Sequence, residues 1–344
     1  MFRLVGQIND VSNPVVSGME IFYTDSNQVF IKAGADFKKV ENHLSPPFAL
    51  IGITGDEMIV RTDNKITALD TNNTIKEIYP LLSSGEVQIK LLYEQDLMIV
   101  GNNLQQGRRL CKYDFRRSQI FWEREEHYSA HRVFRSGAYL ITTYFDNNDL
   151  LACFNENNGA VLWQLHINEL ELPGAGYQIF SQPGIYKDLV LVNIRQQFNL
   201  SVIGLDINTG QLRWHLQNTG LRFQVEGDKI LCFSGNDILQ IDPASGTILH
   251  SVSVLDKLTA AGIDPYGNVV FKDQHMYLAG ILDTIISVWD INTGALLWQH
   301  RLYDKSLTGR RGISIPASEN ILQVHDHRIY VLDSERVLNV FERI

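Results

Sequence analysis

This sequence has few cysteines and no long apolar run, and each shortage excludes a class of protein. The 344 residues include three cysteines, which are far apart, so a disulfide-rich secreted scaffold is excluded. No stretch approaches the roughly 18 apolar residues of a membrane-spanning helix, and the N-terminus lacks the apolar core of an export signal. We therefore expect a cytoplasmic protein without membrane contact, with Cys111, Cys153 and Cys232 as buried, reduced thiols.

Basic residues are also in deficit. Lys and Arg number 30 against 39 Asp and Glu, which gives a formal charge of −9. An acidic chain of this kind disfavours non-specific binding to nucleic acid or to an anionic membrane, because both are themselves negatively charged. If the partner is charged, the sequence favours a basic one.

One short pattern recurs along the chain, most clearly from Asp206 to Trp214 and from Asp290 to Trp298. An Asp or Asn can accept backbone N–H bonds two residues on, and the Gly four positions later supplies a positive φ, so the polar centre predicts a tight hairpin turn. The Trp then falls on the outgoing strand, where it can fill the space between two sheets. Weaker copies start at Asp70, Asp114, Asn155 and Asp242.

The spacing of these copies predicts the architecture. A period of about 40–45 residues made of short strands is typical of β-propeller blades. We therefore predict an all-β fold: one domain over residues 1–344, an eight-bladed β-propeller of four-stranded antiparallel blades, with seven blades as the alternative. The C-terminal repeat has three strands, so the strand from Phe2 to Ile8 is expected to join that blade and close the ring.

The repeated Asp-x-x-Thr-Gly-x-x-x-Trp resembles the tryptophan-docking motif of the pyrroloquinoline-quinone (PQQ) dehydrogenase-like propellers. That superfamily contains quinone-dependent alcohol dehydrogenases and also cofactor-free scaffolds, such as the propeller lipoprotein of outer-membrane β-barrel assembly. The resemblance implies that the enzymes hold their quinone beside a disulfide of adjacent cysteines above a Ca²⁺ site. No two cysteines are adjacent here. The chain is therefore expected to follow the cofactor-free branch, with no cofactor and no metal.

Few residues suggest chemistry. His127 and His131 have the spacing of zinc ligands on a helix, but they fall in a predicted loop without a third His or Cys nearby. The His325-Asp326-His327 triplet matches a turn of the repeat, and the acidic residues Glu125, Glu126, Glu169 and Glu171 are expected to be solvated. Four tryptophans share one repeat position, which favours packing between blades over a ligand box: Trp122, Trp163, Trp214 and Trp298.

Long, variable loops on one rim are the predicted place of function, because binding residues concentrate on loops carried by a rigid scaffold. The predicted insertions are residues 102–109, 123–131, 145–149, 164–178, 195–199, 255–266 and 301–311. Arg and aromatic side chains commonly anchor protein interfaces. The candidate protein-binding residues in these loops are Arg108, Arg109, Phe145, Tyr177, Arg195, Phe198, Tyr266, Arg310 and Arg311.

The sequence thus predicts a non-enzymatic propeller scaffold, monomeric on its own, that binds another protein. A more specific form is an immunity-type protein that neutralises a basic toxin. The alternative is an enzyme or small-ligand binder that uses the central channel. The residues predicted to face that channel are mostly neutral amides, which suits polar contacts better than acid–base catalysis: Gln88, Arg132, Gln182, Gln224 and Gln323.

Overall fold

In a computed structural model of the chain, the structure describes most of the 344 residues. The residues outside that description are 10, 18–19, 25–28, 34–35, 41–47, 55–56, 63–64, 71–74, 81–87, 94–95, 104–106, 115–116, 118, 126–132, 144–148, 181–182, 198, 220–221 and 304–320.

Strands make up almost all of the regular structure, as the sequence predicted. In chain order they are β1 (Phe2–Ile8), β2 (Ser12–Ser17), β3 (Glu20–Thr24), β4 (Val29–Ala33), β5 (Asp36–Val40), β6 (Phe48–Thr54), β7 (Glu57–Thr62), β8 (Lys65–Asp70), β9 (Ile75–Pro80), β10 (Gln88–Tyr93), β11 (Asp96–Asn103), β12 (Gly107–Asp114), β13 (Gln119–Glu125), β14 (Phe134–Ser136), β15 (Tyr139–Thr143), β16 (Leu150–Asn155), β17 (Val161–His166), β18 (Gln178–Ile179), β19 (Gly184–Tyr186), β20 (Leu189–Gln196), β21 (Asn199–Asp206), β22 (Leu212–Gln217), β23 (Arg222–Glu226), β24 (Lys229–Phe233), β25 (Asp237–Ile241), β26 (Ile248–Ser253), β27 (Gly267–Lys272), β28 (His275–Gly280), β29 (Ile285–Asp290), β30 (Leu296–Arg301), β31 (Leu322–His325), β32 (Arg328–Leu332) and β33 (Leu338–Arg343).

Helical structure is confined to two crossings between sheets within the described residues. A 3-10 turn spans Ile167–Glu169, and one α-helix, α1, spans Leu255–Ala261. The helix ends at Gly262, which has a φ of 67° and donates its N–H to the carbonyls of Leu258 and Thr259. None of the helical residues described forms a segment long and apolar enough to cross a membrane.

The strands form antiparallel sheets of consecutive strands, which confirms the predicted fold class. The sheets are β2–β5, β6–β9, β10–β13, β14–β17, β18 with β20–β22, β23–β26, β27–β30, and β31–β33 with β1. In the fifth of these, β18 and β19 both pair with β20, so two short strands occupy the first position. That the sheets close into one ring of eight blades stays a prediction.

Burial along the strands explains their sequences. The second and third strands of a sheet are apolar on both faces: six consecutive residues of β20, Leu189 to Ile194, are buried. Fourth strands such as β17 and β22 bury mainly the Trp at their third position. Near-continuous apolar runs are expected where a strand is covered on both sides, and alternation where one side meets water.

The N-terminal strand completes the last sheet, as predicted. β1 pairs antiparallel with β33 from Phe2 opposite Arg343 to Ile8 opposite Leu338. Gln7 Nε2 donates a 2.7 Å hydrogen bond to Asn339 Oδ1, and Ile8 belongs to the buried core beside β33. The two ends of the sequence are therefore held together in one sheet.

The two clearest copies of the predicted turn have the expected chemistry. Asp206 Oδ1 accepts the backbone N–H groups of Asn208 and Thr209 at 3.0 Å, and Gly210 has a φ of 71°. Asp290 repeats the arrangement with Thr293 at 2.8 Å and with Gly294 at a φ of 61°. Glycine adopts this left-handed backbone at the least steric cost, which is the physical reason for the repeated Gly.

Three of the repeated tryptophans pack on the turn of the following sheet, which confirms that they are packing residues. Their indole Nε1 groups donate to backbone carbonyls one residue after the Asp or Asn of the next turn: Trp122 to Glu156 at 2.8 Å, Trp163 to Ile207 at 2.7 Å and Trp214 to Pro243 at 2.9 Å. Trp298 instead packs against Phe2 and Phe341, with ring centroids 5.3 Å and 5.5 Å away. His250 takes the Trp position in its own repeat, and its Nε2 lies 2.9 Å from the carbonyl oxygen of Asn292.

Two compact units make up the chain. Unit 1 comprises Met1–Ala49, Ile230–Gln240 and Ile248–Ile344, and unit 2 comprises Leu50–Lys229 and Ile241–Thr247. Unit 1 has apolar cores around Tyr330 and around Trp289. Unit 2 has cores around Val192 and around Phe154. The predicted single domain stays a prediction.

Candidate protein-binding surface

The structure shortens several predicted loops: residues 123–125 belong to β13 and residues 164–166 to β17, and the largest corrections fall at two places. β11 continues to Asn103 and β12 begins at Gly107, so Arg108 and Arg109 are strand residues, paired with Asn102 and Gly101. Likewise β20 and β21 are joined at residues 197–198, which places Arg195 in a strand opposite Leu200. Hydrogen-bonded strand ends with polar sequences resemble loops in composition, and this caused both errors.

The other predicted contact residues differ in solvent exposure, and several lie outside the described part of the structure. Tyr177 is 3% exposed and belongs to the apolar core, so it is not part of the proposed binding surface. Tyr266 is 64% exposed at the end of the crossing that carries α1. The side chains of Arg108 and Arg109 lie outside the described part of the structure, as do residues Phe145, Phe198, Arg310 and Arg311 entirely.

Two exposed apolar residues lie on neighbouring segments of unit 1. Tyr266 precedes β27, and Leu282, which is 60% exposed, lies in the turn between β28 and β29. The two segments are neighbours, because the Ile281 N–H donates to the carbonyl of Tyr266 at 3.1 Å. We call Tyr266, Leu282 and the residues that support them the 266/282 patch. Isolated exposed apolar residues are ordinary on proteins, but a fixed aromatic–aliphatic pair on a loop rim is typical of interface anchors.

The backbone beneath the 266/282 patch is held by Asp283. Its Oδ2 accepts the Asp264 N–H at 2.6 Å and its Oδ1 accepts the Ile285 N–H at 2.9 Å. The carbonyl of Asp283 accepts Arg301 Nη1 at 2.7 Å. Both segments of the patch are thus tied to one carboxylate, and the Arg301 guanidinium also holds the segment of Leu282 and Asp283. An anchor fixed before binding loses less conformational entropy when a partner binds.

Electrostatics at this carboxylate combines opposing effects. Burial raises the pKa of Asp283 above its ordinary value, and the nearby Asp264 carboxylate adds to the rise, although hydrogen bonds from Ile285 and Asp264 oppose it. Asp264 Oδ1 also accepts the Tyr266 N–H at 2.8 Å. Two carboxyl groups therefore lie on the segments that carry Tyr266 and Leu282, which suits a partner that presents a basic group beside an apolar one.

A second ordered segment lies in unit 2. The crossing between β17 and β18 is fixed by Asn168, whose Oδ1 accepts the Tyr177 N–H at 2.8 Å and whose Nδ2 donates to the Tyr177 carbonyl at 3.0 Å. The Tyr177 hydroxyl donates to the carbonyl of Pro173 at 2.6 Å. Tyr177 therefore shapes this crossing from inside the core.

Arg195 stands beside the same crossing and is exposed. Its Nη2 donates to Gln178 Oε1 at 3.1 Å, and its guanidinium lies 5.3 Å from the centroid of the Phe180 ring. Gln196 Nε2 adds a 2.8 Å bond to the carbonyl of Ala175. The strand end and the crossing thus form one continuous surface that presents a cation.

The described residues show no arrangement that supports a metal site or acid–base catalysis. Among the described residues no group of three His, Cys, Asp or Glu side chains has the arrangement of a metal site. His325 ends β31 and Asp326 and His327 form the turn, with Asp326 at a φ of 49°, and Glu169 and Glu171 are exposed, as predicted. Glu126, His127 and His131 lie outside the described residues, and so does the side chain of Glu125.

Of the residues predicted to face a central channel, two are described with their side chains. Gln323 Nε2 donates to the carbonyl of Pro14 at 3.0 Å, and Gln224 is half-buried. Gln88 lies in β10, but its side chain is outside the described part, as are residues Arg132 and Gln182. The two described side chains are neutral amides, so this described part supplies no acid–base pair.

Leu282 was missed from the sequence. It lies in Gly280-Ile281-Leu282-Asp283-Thr284, where no Gly or Pro stands inside the turn to mark it. Thr284 takes the left-handed position instead, with a φ of 52°. The Asp-Thr pair after a glycine was the available turn signal.

Sheets of four antiparallel strands, Asp-centred turns and docked tryptophans together define a β-propeller built of PQQ-like repeats. Residues 113–257, less than half of the chain, match the family model described as outer membrane protein assembly factor BamB. Comparison with curated protein sequences gave no match.

Solved structures share the fold over long stretches. BamB from Moraxella catarrhalis is 14% identical, with all of both chains covered and a TM-score of 0.53. Sqt1 from Saccharomyces cerevisiae is 11% identical over 99% of each chain, with a TM-score of 0.58. A quinohemoprotein alcohol dehydrogenase from Comamonas testosteroni is 9% identical over 71% of this chain and 50% of its own, with a TM-score of 0.50. At these identities the likeness establishes the fold, and function has to be argued from the surface.

Proposed function

We propose that this chain is a non-enzymatic cytoplasmic scaffold that binds another protein through its crossing-loop rim, with the 266/282 patch as an anchor. The observation that carries the proposal is the rigid exposure of Tyr266 and Leu282 on two segments tied to Asp283. Large apolar side chains that water surrounds, on a backbone held by buried polar bonds, are suited to bury against a partner. The propeller relatives support a scaffold role by their fold.

The more specific form of the proposal concerns the partner. A chain with a net charge of −9 and carboxyl groups beside its apolar anchor complements a basic protein, and an immunity-type role would use this surface to cover the basic active site of a toxin. Affinity for such a partner should fall as salt is raised, because the attraction between exposed charges is screened. Co-expression with the chain should also relieve the partner's toxicity.

Capture from native lysate tests the proposal. The immobilised chain should retain a protein in stoichiometric amount, and the Tyr266→Ser/Leu282→Ser double variant should retain at least about tenfold less of it, as expected for loss of an interface anchor. Leu297→Ser is the matched control, because Leu297 is an equally apolar and exposed residue on the outer strand β30 of the same unit. Circular dichroism and thermal unfolding would establish that all three proteins are folded alike. Equal capture by the double variant and the wild type would refute the anchor.

A further inference from the structure

The outer strand of one sheet is unusually exposed. β26 is the last strand in the order β23–β26, so one of its edges has no partner strand among the described residues. Five of its six side chains are exposed: Ile248, Leu249, His250, Ser251 and Ser253. An unpaired edge of this kind offers alternating N–H and C=O groups to another strand.

β26 also lacks the features that usually protect an edge. Its sequence, Ile-Leu-His-Ser-Val-Ser, has no Lys, Arg, Asp, Glu or Pro. The outer strands β22 and β30 carry Arg213 and Arg301, and β1 is bulged between Leu4 and Gly6. β17 is uncharged too, but only two of its six residues are exposed. Charges, prolines and bulges are the devices by which natural sheets prevent edge pairing.

The strand is held firmly in place. His250 Nε2 lies 2.9 Å from the carbonyl oxygen of Asn292, and the Val254 N–H donates to the carbonyl of Asn236 at 2.8 Å. A Cβ added to Gly294 would stand 2.5 Å from Val252 Cγ1, so that valine packs closely on the turn after β29. The free edge is therefore a fixed template for another strand.

We propose that β26 pairs antiparallel with β26 of a second copy of this chain. An unpaired strand edge selects an extended backbone as its occupant, since its hydrogen-bonding groups are spaced to match another strand. Two chains of charge −9 repel each other over most of their surfaces, and a strand without charged side chains is where they can approach. In a two-fold arrangement the free β26 edge of each copy pairs with that of the other, so the assembly closes as a dimer and does not grow into a fibre.

A disulfide cross-link tests this pairing. The centre of β26 lies between His250 and Ser251, so an antiparallel self-pair brings the two copies of Ser251 to within about one residue position of each other. The three native cysteines are buried, which leaves an introduced thiol as the reactive one. Under mild oxidation Ser251→Cys should form a covalent dimer about tenfold or more faster than Gln299→Cys, an exposed residue on the charged outer strand β30.

A charge placed on the edge gives the second measurement. Ser251→Lys should weaken self-association, measured by analytical ultracentrifugation of the full chain, by about tenfold or more, because two like charges would face each other across the pair. Gln299→Lys should leave it unchanged. A monomer at every concentration, equal cross-linking of the two cysteine variants, or dimerisation insensitive to Ser251→Lys would each overturn the proposal. A dimer that Ser251→Lys dissociates would support it, and would replace the monomer expected from the sequence.

Discussion

At the scale of single residues, the most consequential group is a buried ionic cluster in unit 2. Glu156 Oε1 accepts hydrogen bonds from Lys112 Nζ at 2.7 Å and Arg135 Nη2 at 2.6 Å, and its carbonyl accepts Trp122 Nε1. Lys112 precedes Asp114 by two residues, and Glu156 follows Asn155 by one. The repeat alignment could therefore have paired them, although composition alone gave no reason to do so.

Removal of the carboxylate charge should be costly. Glu156→Gln removes a carboxylate charge that the almost fully buried Lys112 contacts, and the loss of one partner from a buried ion pair typically costs about 3–5 kcal/mol. We expect the free energy of unfolding, from urea denaturation at pH 7, to fall by about 3 kcal/mol. Glu169→Gln, on an exposed carboxylate, should change it by less than about 0.5 kcal/mol. Equal stabilities for the two variants would contradict the role of the cluster.

The same carboxylate predicts a pH dependence. Burial raises the pKa of Glu156, but hydrogen bonds from Arg135 and Lys112 outweigh that effect, so its pKa in the folded protein lies below the ordinary value of 4.5. A group with a lowered folded pKa contributes its full stability above its unfolded pKa and loses it as the pH falls through the folded pKa. The stability difference between wild type and Glu156→Gln should therefore be constant near neutral pH and shrink below the ordinary pKa. A difference independent of pH in acid would contradict this assignment.

At the scale of elements, the contact that recurs through the fold joins the outer strand of one sheet to the Asp-to-Gly turn of the following sheet. A Cβ added to Gly246 would lie 2.6 Å from the Trp214 ring, whereas at Gly227, also at positive φ, it would meet nothing within 4 Å. Gly246→Ala should therefore cost about 1–3 kcal/mol more than Gly227→Ala, because both bear backbone strain but one also displaces the indole.

A double-mutant cycle isolates the ring contact. In a Trp214→Ala background, Gly246→Ala should cost no more than Gly227→Ala, since only the backbone strain remains. Urea denaturation of the four proteins gives the coupling energy. A coupling near zero would show that the indole does not rest on the turn.

These contacts between neighbouring sheets differ in chemistry at two repeat positions. One position lies two residues before the Asp or Asn of a turn, and the other lies one residue after the Asp or Asn of the next turn. Lys112 faces Glu156, whereas Cys153 Sγ lies 3.9 Å from the carbonyl oxygen of Ile207. Burial raises the pKa of the Cys153 thiol to about 12, so it packs as a neutral group. Distinct chemistry at successive contacts favours packing of each sheet against its correct neighbour over packing against another sheet of the repeated chain.

The sequence predicted those features whose signals lie in a few consecutive residues, and it missed those without such a local signal. The Asp-to-Gly turns and the Trp positions were predictable, because turn chemistry and repetition are written in consecutive residues. The hairpin after Arg195 was not, since Gln197 adopts a φ of 55° where a glycine would have marked the turn. α1 was missed because seven residues are too few to display a helical period, although Gly262 carried the signal for a helix end.

At the scale of the whole molecule, the joining of the two ends of the sequence is the decisive long-range contact. Ile8 is 5% exposed in the core beside β33, while Val5 on the same strand is exposed. Ile8→Ala should lower the free energy of unfolding by about 2–4 kcal/mol, and Val5→Ala by less than about 0.5 kcal/mol. Similar small losses for both variants, in denaturant unfolding, would mean that β1 contributes little to the last sheet.

The binding surface illustrates the limit of sequence reasoning at this scale. Loop position predicted a binding rim, which stays a prediction, and the predicted residue Tyr266 is exposed. Its neighbour Leu282 is sixteen residues further along the chain and is brought beside it by pairing of β27 with β28. Such a pair exists only once the strands are in register.

Hydrogen–deuterium exchange of the chain with and without its captured partner tests the central claim most directly. The account predicts that binding slows exchange in peptides covering residues 255–267 and 281–285, where the 266/282 patch lies, and leaves the outer strand β30 unchanged. Protection confined to outer strands, or no protection at the rim in a saturated complex, would contradict the claim that the crossing-loop rim binds the partner.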